Sequence, residues 1–491
     1  MITVPAIHAA DLLRVLPEII LSTFAILVMI AEPFTPPARK SGLGWLALFG
    51  VVVAGAGMFV TSLSPGLAFD GSLAADGFSF YFIFIFLLVA ALTLLGSIRY
   101  LERDKIHHGE YYALILMATV GACFMAASTE LIMIFIGLEI SSIATYILAG
   151  FRRSDLKSNE ASLKYFLLGS FATAFFLYGI AFVYGSTGST NLVALKDRLS
   201  LTDPPSGAAF MEVAALLMFV GLAFKVSSAP FQVWTPDVYQ GAPAPVSAFL
   251  STAPKAAAFA VLLRILVGGM VSASSVTFWV LWCSAILTMC LGNLGALWQS
   301  NVKRLLAYSS IAHAGYVLVA VAAALAGSPT EANGSVIFYL LSYALMNVGA
   351  FILVAHLAGS GEGRTSVEDY AGLARARPGV AACLTVLLLA LGGIPATAGF
   401  FAKFYVFRAA VHAHLVGLTV IALLNSVVSV YYYFKLIVAM YMDEGETRVA
   451  TGAVPWPLGA ALAVSVAGIF YLGLFPSLFL RLAAGAARPL P

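Results

Sequence analysis

Five ionisable residues stand inside long apolar runs, and their types are those of proton exchange. Glu139 lies in LIMIFIGLEISSIATYIL, Lys164 in ASLKYFLLGS, and Lys225, Lys255 and Lys403 near the middles of three further apolar stretches. Placing a lysine at mid-membrane costs about 2.5–3.5 kcal/mol, so a lysine kept there has a functional reason by default. In water a lysine titrates near pH ~10.4, and loss of solvent lowers that value by several units. A carboxylate at roughly 4 Å, in an effective dielectric near ~20, returns about 4 kcal/mol, or about three pKa units. A lysine–glutamate pair whose separation changes therefore takes up and releases a proton. Arginine stays charged throughout this range and does not serve. The expected arrangement sets Glu139 against Lys225, with Lys164 as a modulating charge. Lys255 then relays to Lys403 through water and polar residues such as His313.

Each residue also has a plainer reading. Lys164 and Lys435 lie where a lysine can snorkel to an interface, Glu139 can be a static counter-ion, and His313 a satisfied interior histidine. His313 and His356 are the histidines deep in apolar runs, and haem ligation would need them to face each other. Cys123, Cys283, Cys290 and Cys383 form no CxxC pair and read as small hydrophobes. No glycine-rich phosphate loop, iron–sulfur spacing or nucleophile elbow occurs, so the sequence points to no redox centre of its own.

The elements that must carry these residues are membrane helices. Of 491 residues, 61% are hydrophobic and 10% charged, where a soluble domain has about a quarter charged. The net charge of +3 is small and scattered, which argues against a nucleic-acid partner. The N-terminus lacks a basic start with a cleavage site, so its first apolar run reads as a retained helix. Hydropathy predicts an all-α integral membrane protein of about 14 segments. The first six lie near 12–32, 43–62, 77–98, 110–128, 130–150 and 160–185, and the next four near 209–240, 244–267, 275–298 and 302–326. The last four lie near 332–358, 379–411, 415–441 and 454–485.

The seventh and twelfth are too long for one span and interrupted, at Pro230 and at GGIPATAG (392–399), the pattern of discontinuous transport helices. Basic residues follow odd segments: Arg39, Lys40, Arg99, Arg103, Lys105, Arg152, Arg153, Lys157, Lys303, Arg304, Arg364, Arg375, Arg377 and Arg448. After even segments little stands beyond Lys196, Arg198 and Arg408. The positive-inside rule makes the odd connections cytoplasmic and puts both termini outside. ISSIATYILAGF (140–151) is echoed by YSSIAHAGYVLV (308–319), and YFLLGSFATAFF (165–176) by FYLLSYALMNVG (338–349). The offset is five segments, an odd number, so the second unit is inverted relative to the first. The expected division is 1–109, a repeat at 110–267 (segments 4–8), its inverted partner at 268–441 (segments 9–13), and a C-terminal helix at 442–491.

Four stretches carry a family resemblance: GLEISSIATYILAGFRRSDLKSNEASLKYFLLGSF (137–171), FKVSSAPFQVWTPDVYQGAP (224–243), NVKRLLAYSSIAHAGY (301–316) and GGIPATAGFFAKF (392–404). In this order they resemble the antiporter-like membrane subunits of respiratory complex I, most closely the subunit N type, over roughly segments four to thirteen. The resemblance implies a proton channel in a bacterial inner membrane, driven by quinone reduction elsewhere in the complex. It casts Glu139 and Lys225 as the switch, Lys164 as its tuner, and Lys255 and Lys403 as the outward relay. It also implies that NADH, FMN, iron–sulfur clusters and quinone are held by other subunits, and that the partners are neighbouring membrane-arm subunits and lipid. A lysine rather than glutamate in segment twelve and the lack of a long lateral helix set the chain apart from the sister subunits. The alternative is a cation/proton antiporter subunit of the multisubunit Mrp type.

Overall fold

The computed structural model describes residues 8–195, 207–269 and 275–487; Lys196 and Arg198 of the orientation argument lie outside them. In a bilayer every backbone amide must find its partner within the protein, which leaves helices as the form for these apolar runs. After a short helix at Ala9–Arg14 come six long ones: α1 Leu16–Ala31, α2 Ser41–Ser62, α3 Gly77–Arg103, α4 Gly109–Ala127, α5 Leu131–Ala149 and α6 Leu156–Thr187. The seventh segment is split into α7 Gly207–Val226 and α8 Thr235–Gly241, and the eighth into α9 Ala244–Leu250 and α10 Ala253–Leu263. Next come α11 Ser275–Leu297, α12 Val302–Leu325 and α13 Pro329–Leu357, then the divided pair α14 Pro378–Gly392 and α15 Ala398–His412. The chain closes with α16 Val416–Tyr441, α17 Trp456–Leu474 and α18 Ser477–Ala486. Twelve spans among the described residues are long and apolar enough to cross a membrane, and α7–α8 and α14–α15 stand beside them as interrupted ones.

Three details depart from the sequence expectation. The eighth segment is not continuous: it breaks at Ser251–Thr252, because Pro254 has no amide hydrogen for the carbonyl one turn back. The Asn347 side chain donates to Ser251 Oγ at 2.6 Å across that gap. The last segment divides before Pro476 for the same reason. A short antiparallel ribbon, Gly66–Ala68 with Leu73–Ala75, joins α2 to α3 in an otherwise helical chain.

Burial ranks the helices. The apolar windows of α9–α10 and α13 are wholly enclosed and that of α12 nearly so, whereas α1, α2, α6 and α16 expose most of theirs. The enclosed helices form the core, and leucines and phenylalanines of α6, such as Leu163, Phe166 and Phe171, are exposed on the outside of the bundle. Glycine permits close contact where α4 meets α5: a Cβ on Gly121 would lie 2.5 Å from the Gly137 carbonyl. The enclosed core is where Lys225, Lys255 and Lys403 lie.

Candidate functional site

Lys225 is the penultimate residue of α7, immediately before the break. Ser227 has φ +63°, which ends the helix, and the chain stays irregular to Trp234. Backbone groups freed by such a break need partners, and α11 supplies them. Thr288 Oγ1 accepts from the Ala229 amide at 2.8 Å, and Ser284 Oγ donates to the Ala229 carbonyl at 2.8 Å. The indole of Trp234 donates to the Phe224 carbonyl at 3.1 Å, closing the end of α7. Pro230 is inside the gap, as its missing amide hydrogen requires.

Lys225 is 3% exposed, and its Nζ donates to Ser142 Oγ at 2.9 Å and Tyr165 OH at 3.1 Å. Tyr165 lies flat on Trp234, ring centroids 4.4 Å apart, which fixes its hydroxyl. Glu139 is one turn before Ser142 on α5. It makes no ion pair with Lys225, and its Oε1 is buried without a hydrogen-bond partner. The expected pair is therefore open in this structure. Lys164 does not reach Lys225 either: it is 41% exposed, and its Nζ binds Asp237 at 2.8 Å and Glu160 at 2.6 Å. Asp237 in turn receives Arg304 at 2.6 Å, so α6, α8 and α12 meet on one carboxylate.

Lys255 follows the second break, also 3% exposed. Its Nζ donates to Ser310 Oγ at 2.6 Å and the Ser310 carbonyl at 3.2 Å, with the Tyr239 ring 5.7 Å away. Around it the hydroxyls of Ser227, Tyr239 and Tyr343 are buried without a well-formed hydrogen bond.

One turn beyond Ser310, His313 places Nδ1 2.6 Å from Tyr339 OH and Nε2 3.2 Å from Tyr433 OH. Tyr433 also bonds Ser309, and the Tyr316 ring lies 5.2 Å from Lys403 Nζ. Lys403 donates to the Gly392 carbonyl at 2.9 Å, Ser426 Oγ at 2.9 Å and Ser429 Oγ at 3.5 Å. It thus reaches back across its own break to the end of α14. Gly393 there has φ +83°, and a Cβ on it would fall 2.9 Å from Lys403 Cδ, so the turn is held open for this side chain.

A chemical distinction emerges. Lys225, Lys255 and Lys403 have hydroxyl or carbonyl partners and no carboxylate within 4.0 Å among the described residues. A hydroxyl both donates and accepts, so it satisfies an ammonium and a neutral amine alike. Lys303 is the contrast: its Nζ meets a carboxylate, Glu362, at 2.6 Å, besides the Gln240 and Ala242 carbonyls.

The sequence reading missed several of these groups. Asp237 was in view within WTPDVYQGAP, and the i,i+4 hydroxyls Ser284 and Thr288 were a legible signal on one helix face. Arg264 also stands within the predicted eighth segment. It is buried, donating to Asp76 at 3.0 and 3.2 Å and to the Ala126 carbonyl at 2.7 Å, and so ties α10 to α3 and α4. Tyr433, Ser310 and Glu362 carried no signal that sets them apart in sequence.

Residues 128–429 match the family model described as NADH:quinone oxidoreductase/Mrp antiporter, transmembrane. The chain is 49% identical over 488 residues to a protein named NADH-quinone oxidoreductase subunit N 1 from Solibacter usitatus, covering 99% of both chains. The chain belongs to the NADH-quinone oxidoreductase subunit N family. A chain of respiratory complex I from Thermus thermophilus matches with a TM-score of 0.80 at 37% identity, covering 95% of this chain and 99% of that one. A chain of the Mrp complex from Dietzia sp. DQ12-45-1b has a TM-score of 0.83 at 21% identity, covering 97% of both chains, which shows the shared fold alone. Subunit N relatives thus align from end to end, and the quoted motifs at 137–171, 224–243, 301–316 and 392–404 all begin within the family match.

Proposed function

We propose that the chain is a proton-translocating membrane-arm subunit of an NADH:quinone oxidoreductase, moving protons along Lys225, Lys255, His313 and Lys403. One observation carries the reading: three lysines, each at most 5% exposed, each met by a hydroxyl and none by a carboxylate. A merely structural lysine in such a setting has a carboxylate, as Lys303 does.

The residues act in sequence. Approach of the Glu139 carboxylate favours the Lys225 ammonium, and its withdrawal favours release. In this reading the absence of a Glu139–Lys225 ion pair, with Lys225 on the hydroxyls of Ser142 and Tyr165, corresponds to the withdrawn arrangement. The hydroxyls of Ser227 and Tyr239 pass the proton on to Lys255. From there Ser310, His313 and the Tyr433 hydroxyl lead to Lys403, whose serines on α16 form the far end. Lys164 acts on this chain from outside it, through Asp237. Other membrane-arm subunits are the partners, and NADH, FMN, iron–sulfur clusters and quinone belong to other subunits of the complex.

The face bearing Lys40, Arg103, Arg152 and Lys303 is cytoplasmic in this reading, with both termini on the periplasmic side of a bacterial inner membrane. The divisions at 110–267 and 268–441 are inverted repeats. Two parallels support them: Gly121 of α4 packs on the α5 backbone as Gly292 of α11 packs on that of α12, and a broken helix with a buried lysine occurs in each. An Mrp-type cation/proton antiporter is the alternative, and end-to-end similarity to subunit N relatives favours the first.

Two experiments test the reading. Affinity purification of the tagged chain from its native membrane brings down NADH-oxidising activity; recovery of a cation-antiporter assembly without that activity contradicts it. Glu139→Gln lowers NADH-driven proton uptake about tenfold, because an effect of about 1.4 kcal/mol, well inside the pair's Coulomb energy, already changes an equilibrium tenfold. Full uptake in an assembled Glu139→Gln complex makes the carboxylate dispensable and removes the switch.

A further inference from the structure

Glu362 belongs to no part of the chain of lysines, yet it is among the most enclosed carboxylates in the molecule. It lies in the connection after α13, where Gly359, Gly361 and Glu362 all have positive φ, +73°, +71° and +52°. Glycine takes that conformation freely, whereas glutamate does not. The loop is bent so that this side chain points inward, and the side chain is only 5% exposed. Its Oε1 accepts from Tyr100 OH at 2.5 Å and from the Ala244 amide at 2.7 Å, with Arg152 3.6 Å away. Its Oε2 accepts from Lys303 Nζ at 2.6 Å. Lys303 completes its own bonds on the Gln240 carbonyl at 2.9 Å and the Ala242 carbonyl at 2.6 Å.

These contacts converge on one turn, Gln240–Ala244, which joins α8 to α9. Both helices have seven residues, and each is bounded on its other side by a break. Helices so short do not hold themselves in place, and tertiary contacts set their position. Beyond the first break is Lys225. α8 carries Tyr239, whose ring faces Lys255, and beyond the second break is Lys255 itself. The α7 side of this segment is anchored separately, by Ser284 and Thr288.

We propose that Glu362 is a positioning residue for proton transfer: with Lys303 it clamps the Gln240–Ala244 turn and so fixes Tyr239 and Lys255 relative to Lys225. The proposal rests on the lysine pathway above. Neutralising Glu362 leaves Lys303 and Arg152 enclosed with Asp104 as the remaining counter-ion of the cluster. Lys303 then loses its geometry on the two carbonyls, and the turn is released. The three participants come from loops and helix ends far apart in the chain, so the clamp also ties the first half of the molecule to the second.

The test uses the whole complex in inside-out vesicles, with Glu362→Gln, Glu362→Asp and Lys225→Ala compared at measured complex content. Glu362→Gln, nearly isosteric, is expected to assemble and to lose about tenfold or more in NADH-driven proton uptake per complex, the scale on which small misplacements of reacting groups act. The ratio of rates in H2O and D2O rises, since proton transfer becomes limiting. Glu362→Asp keeps the charge but is one methylene too short to span Lys303 and the Ala244 amide together, and falls between Glu362→Gln and wild type. If Glu362→Gln fails to assemble, Glu362→Asp decides by the same two readouts. Normal uptake per complex with an unchanged isotope ratio in the variant that assembles overturns the proposal, including the case where only complex content falls. Lys225→Ala separates the two levels: if it pumps normally, the pathway itself is wrong, whereas if it is inert beside a normal Glu362→Gln, only the clamp is.

Discussion

Lys255→Met abolishes NADH-driven proton translocation, at least a hundredfold, while the complex assembles to its normal amount. The expectation follows from what surrounds the amine. Lys255 is 3% exposed, its polar contact is Ser310 on α12, and the Tyr239 ring of α8 lies 5.7 Å from its Nζ. Methionine has a similar reach and brings no charge. Replacing a buried charge by an apolar side chain of like volume is often neutral or stabilising for the fold. A lysine kept for packing alone would therefore be exchanged without harm. A lysine that carries the proton would not, because methionine can neither accept nor release one. Complex content by immunoblot and proton uptake in the same vesicles separate the two cases. Retained uptake in Lys255→Met would place the route elsewhere.

Lys225→Arg fails although it preserves the positive charge. Arginine stays protonated across the accessible range, so it cannot complete a cycle of uptake and release. Its planar fork also asks for more acceptors than Ser142 and Tyr165 offer in the space beside Trp234. The expected loss in proton uptake is about tenfold or more, on the scale of one pKa unit or beyond of altered proton affinity. An arginine variant with full activity would mean that charge alone is needed at 225, as in a static pair with Glu139. Because Glu139 is not in contact with Lys225 in the structure, a static pair already has no geometric support.

The lysines were legible because a charge inside an apolar run stands out against a quiet background. The breaks at Pro230 and 392–399 were legible because proline and glycine disrupt helices whatever surrounds them. Partners were less so. Lys164 was expected near Lys225, yet successive residues on a helix point about 100° apart: Tyr165 faces inward to Lys225 and Lys164 turns outward to Asp237. Sequence spacing alone does not say which of two neighbours takes the inner face. The break before Lys255 is harder to read because Ala244–Leu266 is a single apolar stretch: Pro254 marks it locally, but Asn347, the side chain that reaches Ser251 across the gap, lies nearly a hundred residues away.

Glu362 and Lys303 were illegible for the opposite reason from the lysines. Charges in connections between segments are ordinary, and nothing local marks a loop glutamate as enclosed. Its burial is created by Tyr100, Arg152 and the Ala244 amide, brought together by the fold from three separate regions. Arg264 is an intermediate case: it was in plain view inside an apolar run, and its pairing with Asp76 at the start of α3 explains how the fold tolerates it.

Proton uptake by inside-out vesicles carrying Lys225→Ala, normalised to assembled complex, tests the central claim most directly. NADH oxidation starts the reaction and a pH-sensitive dye follows it. An uptake at least tenfold below wild type at equal complex content is the result expected of a lysine that carries the proton between Glu139 and Lys255. Wild-type uptake in that assembled variant would contradict the account.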